Sequence, residues 1–170
     1  MQPLAIVVMG VSGCGKSTVG DLLARQLKVD FLDADDLHPA ENKAKMAAGT
    51  PLIDEDRWPW LAKVGAAMKD ETDDGNSIVV ACSALRRVYR DALRHAAAGP
   101  VFFVHLHGTK ELLAERLGHR EGHFMPTTLL DSQLDTLEPL QQDEQGVVLD
   151  IALTPEQLAQ AAIAALPPVR

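Results

Sequence analysis

The protein has 170 residues, of which 46% are hydrophobic and 24% are charged, so it can bury one sizeable core but is short for two. Its 24 acidic residues outnumber its 16 basic residues, which gives a formal charge of -8, and residues 127–169 contain no Lys or Arg. This balance argues against a nucleic-acid-binding protein, because such proteins need a basic surface.

Five short apolar runs, rich in β-branched residues, predict β-strands along the chain. They are LAIVVM (4–9), VDFLD (29–33), SIVVACS (77–83), VFFVHLH (101–107) and VVLDI (147–151). Each run is continuous rather than alternating, which is typical of strands that are covered on both faces, as in a parallel sheet.

Segments with helical periodicity lie between these runs. Apolar stripes occur within residues 19–27 and 85–96, and Thr154 followed by Pro155 predicts the start of a last helix. The chain therefore alternates strand and helix. This order predicts an α/β fold of layers, with a parallel sheet and right-handed crossovers.

Two segments do not fit a minimal repeat of strand and helix. Residues 34–76 are too long for one crossover and predict two extra helices on one side of the sheet, whereas the polar residues 116–126 predict a mobile flap. We expect a single domain over 1–170. Its parts are a core of about 1–33, 77–115 and 136–170, a substrate-binding insert of about 34–76, and a lid of about 116–135.

The two cysteines, Cys14 and Cys82, lack C-x-x-C spacing and favour a reducing cytoplasm over a disulfide framework. The first apolar run, residues 4–9, is far too short to span a bilayer, so we predict no membrane segment. A basic cluster, formed by Arg86, Arg87, Arg90 and Arg94, is expected to meet small anions or solvent.

A phosphate-binding loop is predicted directly after the first strand. The motif G-x-x-x-x-G-K-[ST] is matched in full by Gly10, Val11, Ser12, Gly13, Cys14, Gly15, Lys16 and Ser17, with Thr18 following. Backbone N–H groups and the positive end of the next helix would converge on a nucleotide's phosphates. Lys16 would reach the β and γ phosphates, and the Ser17 hydroxyl would coordinate Mg²⁺. The alternative is a glycine turn that only joins strand to helix, and Cys14 is interpreted as a small residue without a redox role.

Two carboxylates, Asp33 and Asp35, follow the second strand in the pattern FLDAD. Residues two apart at the end of a strand point to the same side, so both could face the phosphate loop. Transfer of a phosphoryl group to an alcohol needs a group that orients the hydroxyl and oxygen ligands for Mg²⁺. We therefore expect Asp33 to serve the metal and Asp35 the alcohol. Alternatively, Asp33 or Asp35 caps the following helix. We expect Asp36, the next acidic residue, to be that cap.

The sequence resembles the gluconate kinases, a family within the shikimate-kinase and adenylate-kinase-like P-loop phosphotransferases. The matching segments are MGVSGCGKST, FLDADDLHP, NKAKMAAGTPLIDEDRWPWL, ACSALRRVYRDALR and ERLGHREGHFMPTTLLDSQLDTLE. The resemblance implies a three-layer P-loop kinase fold with a five-stranded parallel sheet. It also implies phosphorylation of D-gluconate to 6-phosphogluconate by ATP with Mg²⁺, in a homodimer.

A gluconate pocket needs partners for hydroxyl groups and a cation for the carboxylate. Besides Asp35, the candidates are His38, Arg57, Ser83, Ala84 and Leu85. Arg57 is the best candidate for the substrate carboxylate, because a guanidinium can bind it through two hydrogen bonds. The alternative for Arg57 is a surface pair with Asp54 or Glu55, and for His38 a hydrogen bond at a helix entry. Trp58 and Trp60 are expected to be packing residues.

The flap carries cations that could meet the nucleotide. By resemblance, Arg116 would lie against the adenine and Arg120 would reach the phosphates, where a lid arginine stabilises developing charge. The resemblance also places His123 at the substrate. A zinc site from His119 and His123 is not favoured, because no further ligands are evident nearby.

One departure from the wider P-loop pattern concerns the metal. The third strand, SIVVACS, ends without the acidic residue that often helps to hold Mg²⁺, so Asp33 would have to bind the metal instead.

Two other functions stay open on the sequence: a kinase for another small acceptor, such as shikimate or a nucleoside monophosphate, and a nucleotide-dependent switch. The switch is disfavoured because residues 42–45, NKAK, lack the Asp of an N-K-x-D motif.

Overall fold

The computed structural model describes residues 3–50, 52–118 and 127–167. Within them, five strands pair in parallel to form one sheet. The strands are β1 (Ala5–Met9), β2 (Asp30–Asp33), β3 (Ile78–Ala81), β4 (Val101–His107) and β5 (Gly146–Asp150). Their order across the sheet is β2-β3-β1-β4-β5. All five predicted strands are present, and β1 lies at the centre, so the loop that follows it opens at the middle of the sheet.

Helices flank the sheet, as the sequence predicted. In the described part of the chain they are α1 (Lys16–Leu27), α2 (Ala40–Ala47), α3 (Asp54–Asp73), α4 (Arg87–Ala97), α5 (Lys110–Gly118), α6 (Thr127–Thr136) and α7 (Pro155–Ala165). A short 3-10 turn, Ala34–Leu37, joins β2 to α2. The start of α7 is as expected, because the Thr154 hydroxyl accepts a hydrogen bond from the Gln157 N–H at 3.2 Å. No helix that the structure describes is long and apolar enough to cross a membrane.

Two buried layers enclose the central strands. Ile6 and Val8 of β1 face a cluster that includes α1 and α7, whereas Val7 and Met9 face a cluster that includes α3 and α4. The prediction that every strand is covered on both faces is wrong for the two edge strands. In β5 exposed and half-buried residues alternate, and Val148 is 52% exposed. Val147 and Leu149 of this edge strand pack against the cluster that includes α1 and α7, whereas residues 146, 148 and 150 on the opposite face are exposed.

Helix α3 contributes directly to the core. Trp60, Leu61, Val64 and Met68 are buried in the layer against β1 and β3. The two helices that the sequence predicted within residues 34–76 are thus present as α2 and α3, and α3 covers one face of the sheet.

The basic cluster is neutralised within the protein, so the expectation that it meets small anions or solvent is wrong. Arg86 contacts Asp54 at 3.1 Å, Arg87 contacts Asp143 at 2.8 Å and Arg94 contacts Asp91 at 2.9 Å. The side chain of Arg90 is fully buried and donates to Glu144 at 2.7 Å. Burial alone would raise the pKa of Glu144, but hydrogen bonds from Arg90 and Arg94 lower it to about 2.

Candidate active site

A cleft of about 360 Å³ opens where β1 and β2 end. Such a position, beyond the carboxyl ends of parallel strands, is where open α/β sheets bind ligands. The cleft is lined by Ser12, Gly13, Cys14, Gly15, Lys16, Ser17, Thr18, Val19, Asp33, Asp35, Ala81, Arg116, Pro155 and Leu158. The predicted phosphate loop, both predicted carboxylates and Arg116 therefore share one cavity. Pro155 and Leu158 of α7 were not anticipated from the sequence, which has no local signal for them.

The phosphate loop is shaped by tight backbone packing at its start. Gly10 has a φ of +147°, and a Cβ atom there would lie 2.7 Å from the Cys14 Sγ and 2.8 Å from the Leu106 carbonyl oxygen. Only glycine fits this position. The Cys14 thiol is buried and burial raises its pKa, which favours the interpretation without a redox role.

The loop lysine stays close to the loop itself. The Lys16 Nζ donates to the Val11 carbonyl oxygen at 3.5 Å, and α1 begins at Lys16. The free N–H groups at the start of α1 and the ammonium group therefore lie along the same cleft, an arrangement that attracts phosphate.

Asp33 connects the second strand to the phosphate loop. Its Oδ2 accepts a hydrogen bond from the Ser17 hydroxyl at 2.9 Å, and its Oδ1 accepts one from the Asp35 N–H at 3.0 Å. The second bond caps the 3-10 turn, so the prediction that Asp36 is the cap is wrong. Asp36 lies inside the turn, where its side chain is beyond the N–H groups that need an acceptor.

Ser17 and Asp33 present the kind of oxygen donors that Mg²⁺ prefers. A cation of this type keeps several water molecules and shares phosphate oxygens, so two protein ligands beside a phosphate loop are enough. Across residues 3–50, 52–118 and 127–167, three or more His, Cys, Asp or Glu side chains do not gather into a denser metal cluster. The donor set fits Mg²⁺ and not a structural zinc site.

Asp35 lies at the open side of the cleft. Its side chain is 81% exposed, yet the surrounding walls displace enough water to raise its pKa, and the Asp33 charge acts in the same direction. The charge of Lys16 opposes the shift. A carboxylate with a raised pKa accepts a proton more readily, which suits a group that meets an alcohol.

His38 is held by three contacts beneath Asp35. Its ring stacks on Trp60 with the centroids 4.1 Å apart, its Nδ1 lies 3.2 Å from the Asn42 amide nitrogen, and its Nε2 lies 4.0 Å from the Asp35 Oδ1. The amide nitrogen can only donate, so Nδ1 accepts and Nε2 carries the proton toward Asp35. Burial lowers the pKa of His38, which keeps the ring neutral. The hydrogen bond at a helix entry is therefore present, and Trp60 is a packing residue as predicted.

Arg57 already has a carboxylate partner. Its Nη1 lies 3.5 Å from the Asp54 Oδ1 and donates to the Tyr89 hydroxyl at 3.3 Å. Arg86 donates to the other Asp54 oxygen at 3.1 Å, and both guanidinium groups lie over the Tyr89 ring. The surface pair considered from the sequence is thus present. Sequence reasoning missed Arg86 and Tyr89 as neighbours of Arg57, because 29 or more residues separate them along the chain.

The segment after β3 lies beside the phosphate loop without lining the cleft. The Ser83 carbonyl oxygen accepts a hydrogen bond from the Gly10 N–H at 3.3 Å. Ala84 has a φ of +45°, and its carbonyl oxygen accepts from the buried Arg90 at 2.9 Å. The Leu85 carbonyl oxygen accepts from the Glu138 N–H at 2.7 Å. These bonds fix the backbone next to the loop.

The predicted flap cations are only partly described. Arg116 lines the cleft and donates to the Ile151 carbonyl oxygen. Arg120 and His123, together with His119, lie outside the described residues.

Trp58 contacts Tyr89 edge to face and is 39% exposed, so it is covered less well than Trp60.

Gln133 of α6 contacts the phosphate loop. Its Oε1 accepts a hydrogen bond from the Ser12 N–H at 2.7 Å, and its Nε2 donates to the Ser12 hydroxyl at 3.0 Å. The sequence gives no indication of this contact, since its two residues are 121 positions apart along the chain.

Comparisons with known proteins identify relatives of this chain. The shikimate kinase family model matches residues 12–166. A probable gluconokinase from Xenopus tropicalis is 48% identical over 162 residues, which cover 87% of this chain and 85% of that protein. The thermosensitive gluconokinase of Escherichia coli is 43% identical over 165 residues, which cover 94% and 88%. The crystal structure of a gluconokinase from Sinorhizobium meliloti has a TM-score of 0.87 at 48% identity and covers 96% of this chain and 91% of its own.

Proposed function

The chain belongs to the gluconokinase family, and from that membership we propose that it phosphorylates D-gluconate with ATP to give 6-phospho-D-gluconate. The observation that carries this proposal is the shared cleft. The phosphate loop and the Asp33 and Asp35 carboxylates line one cavity, so a donor and an acceptor can meet there.

The proposed reaction is an in-line transfer. The primary hydroxyl oxygen of gluconate attacks the γ-phosphorus, and the bond from that phosphorus to the bridging oxygen of ADP breaks. Asp35 orients the hydroxyl and accepts its proton. Lys16 neutralises charge on the β and γ phosphates, and the N–H groups of residues 13–18 hold the phosphate oxygens.

Ser17 and Asp33 would hold Mg²⁺, which supplies further positive charge against the phosphates when it is bound. Their separation of 2.9 Å supports this assignment, because both oxygens can turn toward one ion. Arg116 is proposed at the adenine, which its position in the cleft supports. The roles of Arg120 at the phosphates and His123 at the substrate are proposed on the resemblance.

The gluconate carboxylate is assigned to Arg57. Two guanidinium groups and the Tyr89 hydroxyl already surround the Asp54 carboxylate, so the surroundings of Arg57 suit a carboxylate. His38 and the backbone and hydroxyl around Ser83, Ala84 and Leu85 are assigned to the sugar hydroxyls. The three carbonyl oxygens of this segment already accept hydrogen bonds within the protein.

A screen of acceptors tests the reaction and the substrate together. Release of ADP is coupled to a reporter reaction with gluconate, shikimate, AMP and related sugar acids, and the phosphorylated product is identified by phosphorus NMR. We expect turnover with gluconate well above every other acceptor. If no ADP is released with gluconate, or if another acceptor has a higher kcat/KM, the proposal is overturned. A Lys16→Met variant, prepared in the same way, controls for contaminating kinases.

A homodimer is also proposed, from the family resemblance, and a cytoplasmic location from the two cysteines that lack C-x-x-C spacing. Light scattering of the purified protein measures the assembly directly, and a mass near that of one chain of 18.4 kDa would contradict the dimer.

A further inference from the structure

Gln133 holds the phosphate loop through both ends of its carboxamide. Its Oε1 lies 2.7 Å from the Ser12 backbone nitrogen, and its Nε2 lies 3.0 Å from the Ser12 Oγ. The orientation of the carboxamide is fixed, because a backbone N–H can only donate and must therefore face the oxygen. The nitrogen of Gln133 then faces the Ser12 hydroxyl as a donor.

This arrangement decides what the Ser12 hydroxyl can do. A hydroxyl group has one proton to donate and lone pairs that accept. Because the Ser12 oxygen accepts from the Gln133 Nε2, its own proton is not used in that bond. Ser12 lines the cleft, so the proton is available to a ligand there.

Ser12 also lies at the end of the loop that the terminal phosphate would reach. The lysine of this motif extends to the β and γ phosphates. Lys16 Nζ donates to the carbonyl oxygen of Val11, the residue directly before Ser12. The N–H groups of residues 13–18, by contrast, surround the inner phosphates.

Helix α6, which carries Gln133, is firmly placed against the loop. Leu130, one turn before Gln133, is completely buried in the same cluster as Leu113 and Leu117. A salt bridge of 2.6 Å joins Lys110 to Asp131. The Gln133 carboxamide is therefore presented to Ser12 by a helix with its own anchor in the core.

We infer that Gln133 is a positioning residue for the terminal phosphate of the nucleotide. By donating to the Ser12 Oγ it turns the Ser12 hydroxyl proton into the cleft, where it donates to a γ-phosphate oxygen. ADP has no such oxygen, so the bond favours triphosphate over diphosphate. The inference concerns the phosphoryl donor and holds whichever acceptor is phosphorylated.

Nucleotide binding without any acceptor tests this role. Calorimetry measures the Kd of ADP and of β,γ-imido ATP, both with Mg²⁺, for the unaltered protein and for Gln133→Glu and Gln133→Met. The carboxylate of Gln133→Glu would accept the Ser12 hydroxyl proton and turn it away from the cleft. We expect the affinity for the triphosphate analogue to fall about tenfold or more in both variants, the size of a lost hydrogen bond to a charged group, while the affinity for ADP changes little.

A double-mutant cycle shows whether Gln133 acts through Ser12. Ser12→Ala should cause the same selective loss, and adding Gln133→Met to it should cause no further change in the ratio of the two affinities. Ser132→Asp is the matched control for charge, since it adds an acid on the exposed side of the same helix. It should leave the ratio unchanged.

Every outcome decides the inference. Equal losses for ADP and the triphosphate analogue would mean that Gln133 only braces the loop, and unchanged affinities would mean that the contact has no role in binding. Either result overturns it. If the Gln133 variants melt at a much lower temperature, Ser12→Ala alone must still show the selective loss. None of these measurements depends on gluconate, so failure of the acceptor screen leaves them interpretable.

Discussion

Asp35 is exposed, yet its position is closely defined by its neighbours. Its N–H is bound to Asp33, and its carboxylate lies above the neutral His38 ring. The Asp35 side chain is thus free to meet a ligand while its backbone is fixed. At this scale the chemistry depends on single groups, so single substitutions test it.

We expect Asp35→Asn to lower kcat by about 10²-fold to 10⁴-fold, because the amide keeps the shape but cannot take the hydroxyl proton. ATP binding should be retained, since the phosphate loop is untouched. Steady-state kinetics and nucleotide titration measure the two effects separately. Asp36→Asn, one residue further on and exposed, is the control and should behave like the unaltered protein. A near-normal kcat in Asp35→Asn would contradict the assignment of the base.

Arg57→Lys tests the carboxylate site. Lysine keeps the charge but loses the fork of donors, so we expect the KM for gluconate to rise about tenfold or more with the KM for ATP unchanged. Steady-state kinetics with each substrate varied in turn provide the measurement. Arg25→Lys is a matched control, since Arg25 is a largely exposed partner of Asp21 in α1. A rise in the KM for ATP instead would place Arg57 on the nucleotide side.

Individual residue roles were predicted from the sequence where they belong to a continuous motif. The phosphate loop and the FLDAD carboxylates were found because strand, loop and helix follow one another along the chain. Asn42 and Gln133 were not found, although both orient groups in or beside the cleft. Asn42 lies in a helix that carries no recognisable motif, and Gln133 is 121 residues away from Ser12. Only the folded chain therefore reveals these contacts.

At the scale of secondary-structure elements, α3 and α4 pack closely together on the face of the sheet that Val7 and Met9 line. Gly65 of α3 lies against Ala96 of α4, and a Cβ atom at Gly65 would come within 2.3 Å of the Ala96 Cβ. The helices can therefore pack only if one of these positions has no side chain. This close approach lets Trp60, Leu61 and Val64 reach the sheet.

Gly65→Ala should lower the free energy of unfolding by about 1–3 kcal/mol, because overpacking outweighs the better helix propensity of alanine. Urea unfolding at neutral pH measures the change. Adding Ala96→Gly should recover part of the loss, because it removes the clashing carbon atom. If Gly65→Ala is as stable as the unaltered protein, the two helices are not in the tight contact described.

Elements were predicted more reliably in the middle of the sheet than at its edges. The apolar runs located all five strands, because burial on two faces requires apolar residues throughout. In β2 and β5 the same apolar composition wrongly predicted burial on both faces, since an edge strand tolerates apolar residues that stay partly exposed. The 3-10 turn after β2 was not predicted, and its cap by Asp33 was only the alternative to Asp36, because the three acidic residues of DADD are equivalent candidates until the backbone is placed.

At the scale of the whole molecule, the buried pair of Arg90 and Glu144 connects distant parts of the chain. Arg90 also donates to the carbonyl oxygens of Ala84, Leu85 and Pro139. Glu144 accepts in addition from the Gln141 N–H at 3.0 Å. One ion pair thus holds the loop after β3, the helix α4 and the segment that leads to β5.

Glu144→Gln should lower the free energy of unfolding at pH 7 by about 3 kcal/mol, since it leaves the Arg90 charge without its partner. The pKa of Glu144 is lowered from its ordinary 4.5 to about 2 in the folded protein. Its contribution is therefore fully present above pH 4.5 and is lost as the pH falls toward 2, so the difference from the unaltered protein should shrink in that range. Urea unfolding between pH 7 and pH 3 measures it.

The exposed Asp143→Asn serves as the control for this pH dependence, because it removes a carboxylate that meets Arg87 at the surface. We expect it to change stability little at any pH in the range. A pH-independent loss in Glu144→Gln would show that shape and not charge accounts for the effect.

The sequence by itself determined the fold class, the order of strands and helices along the chain, the phosphate loop and the family. These features depend on local periodicity and on motifs whose residues are adjacent in the chain. The tertiary structure alone decided the order of the strands across the sheet, the cap at Asp33, the internal partners of the arginine cluster, and the contact of Gln133 with Ser12. Each of these joins residues far apart in sequence or chooses among equivalent neighbours, and such choices are made by packing and hydrogen-bond geometry.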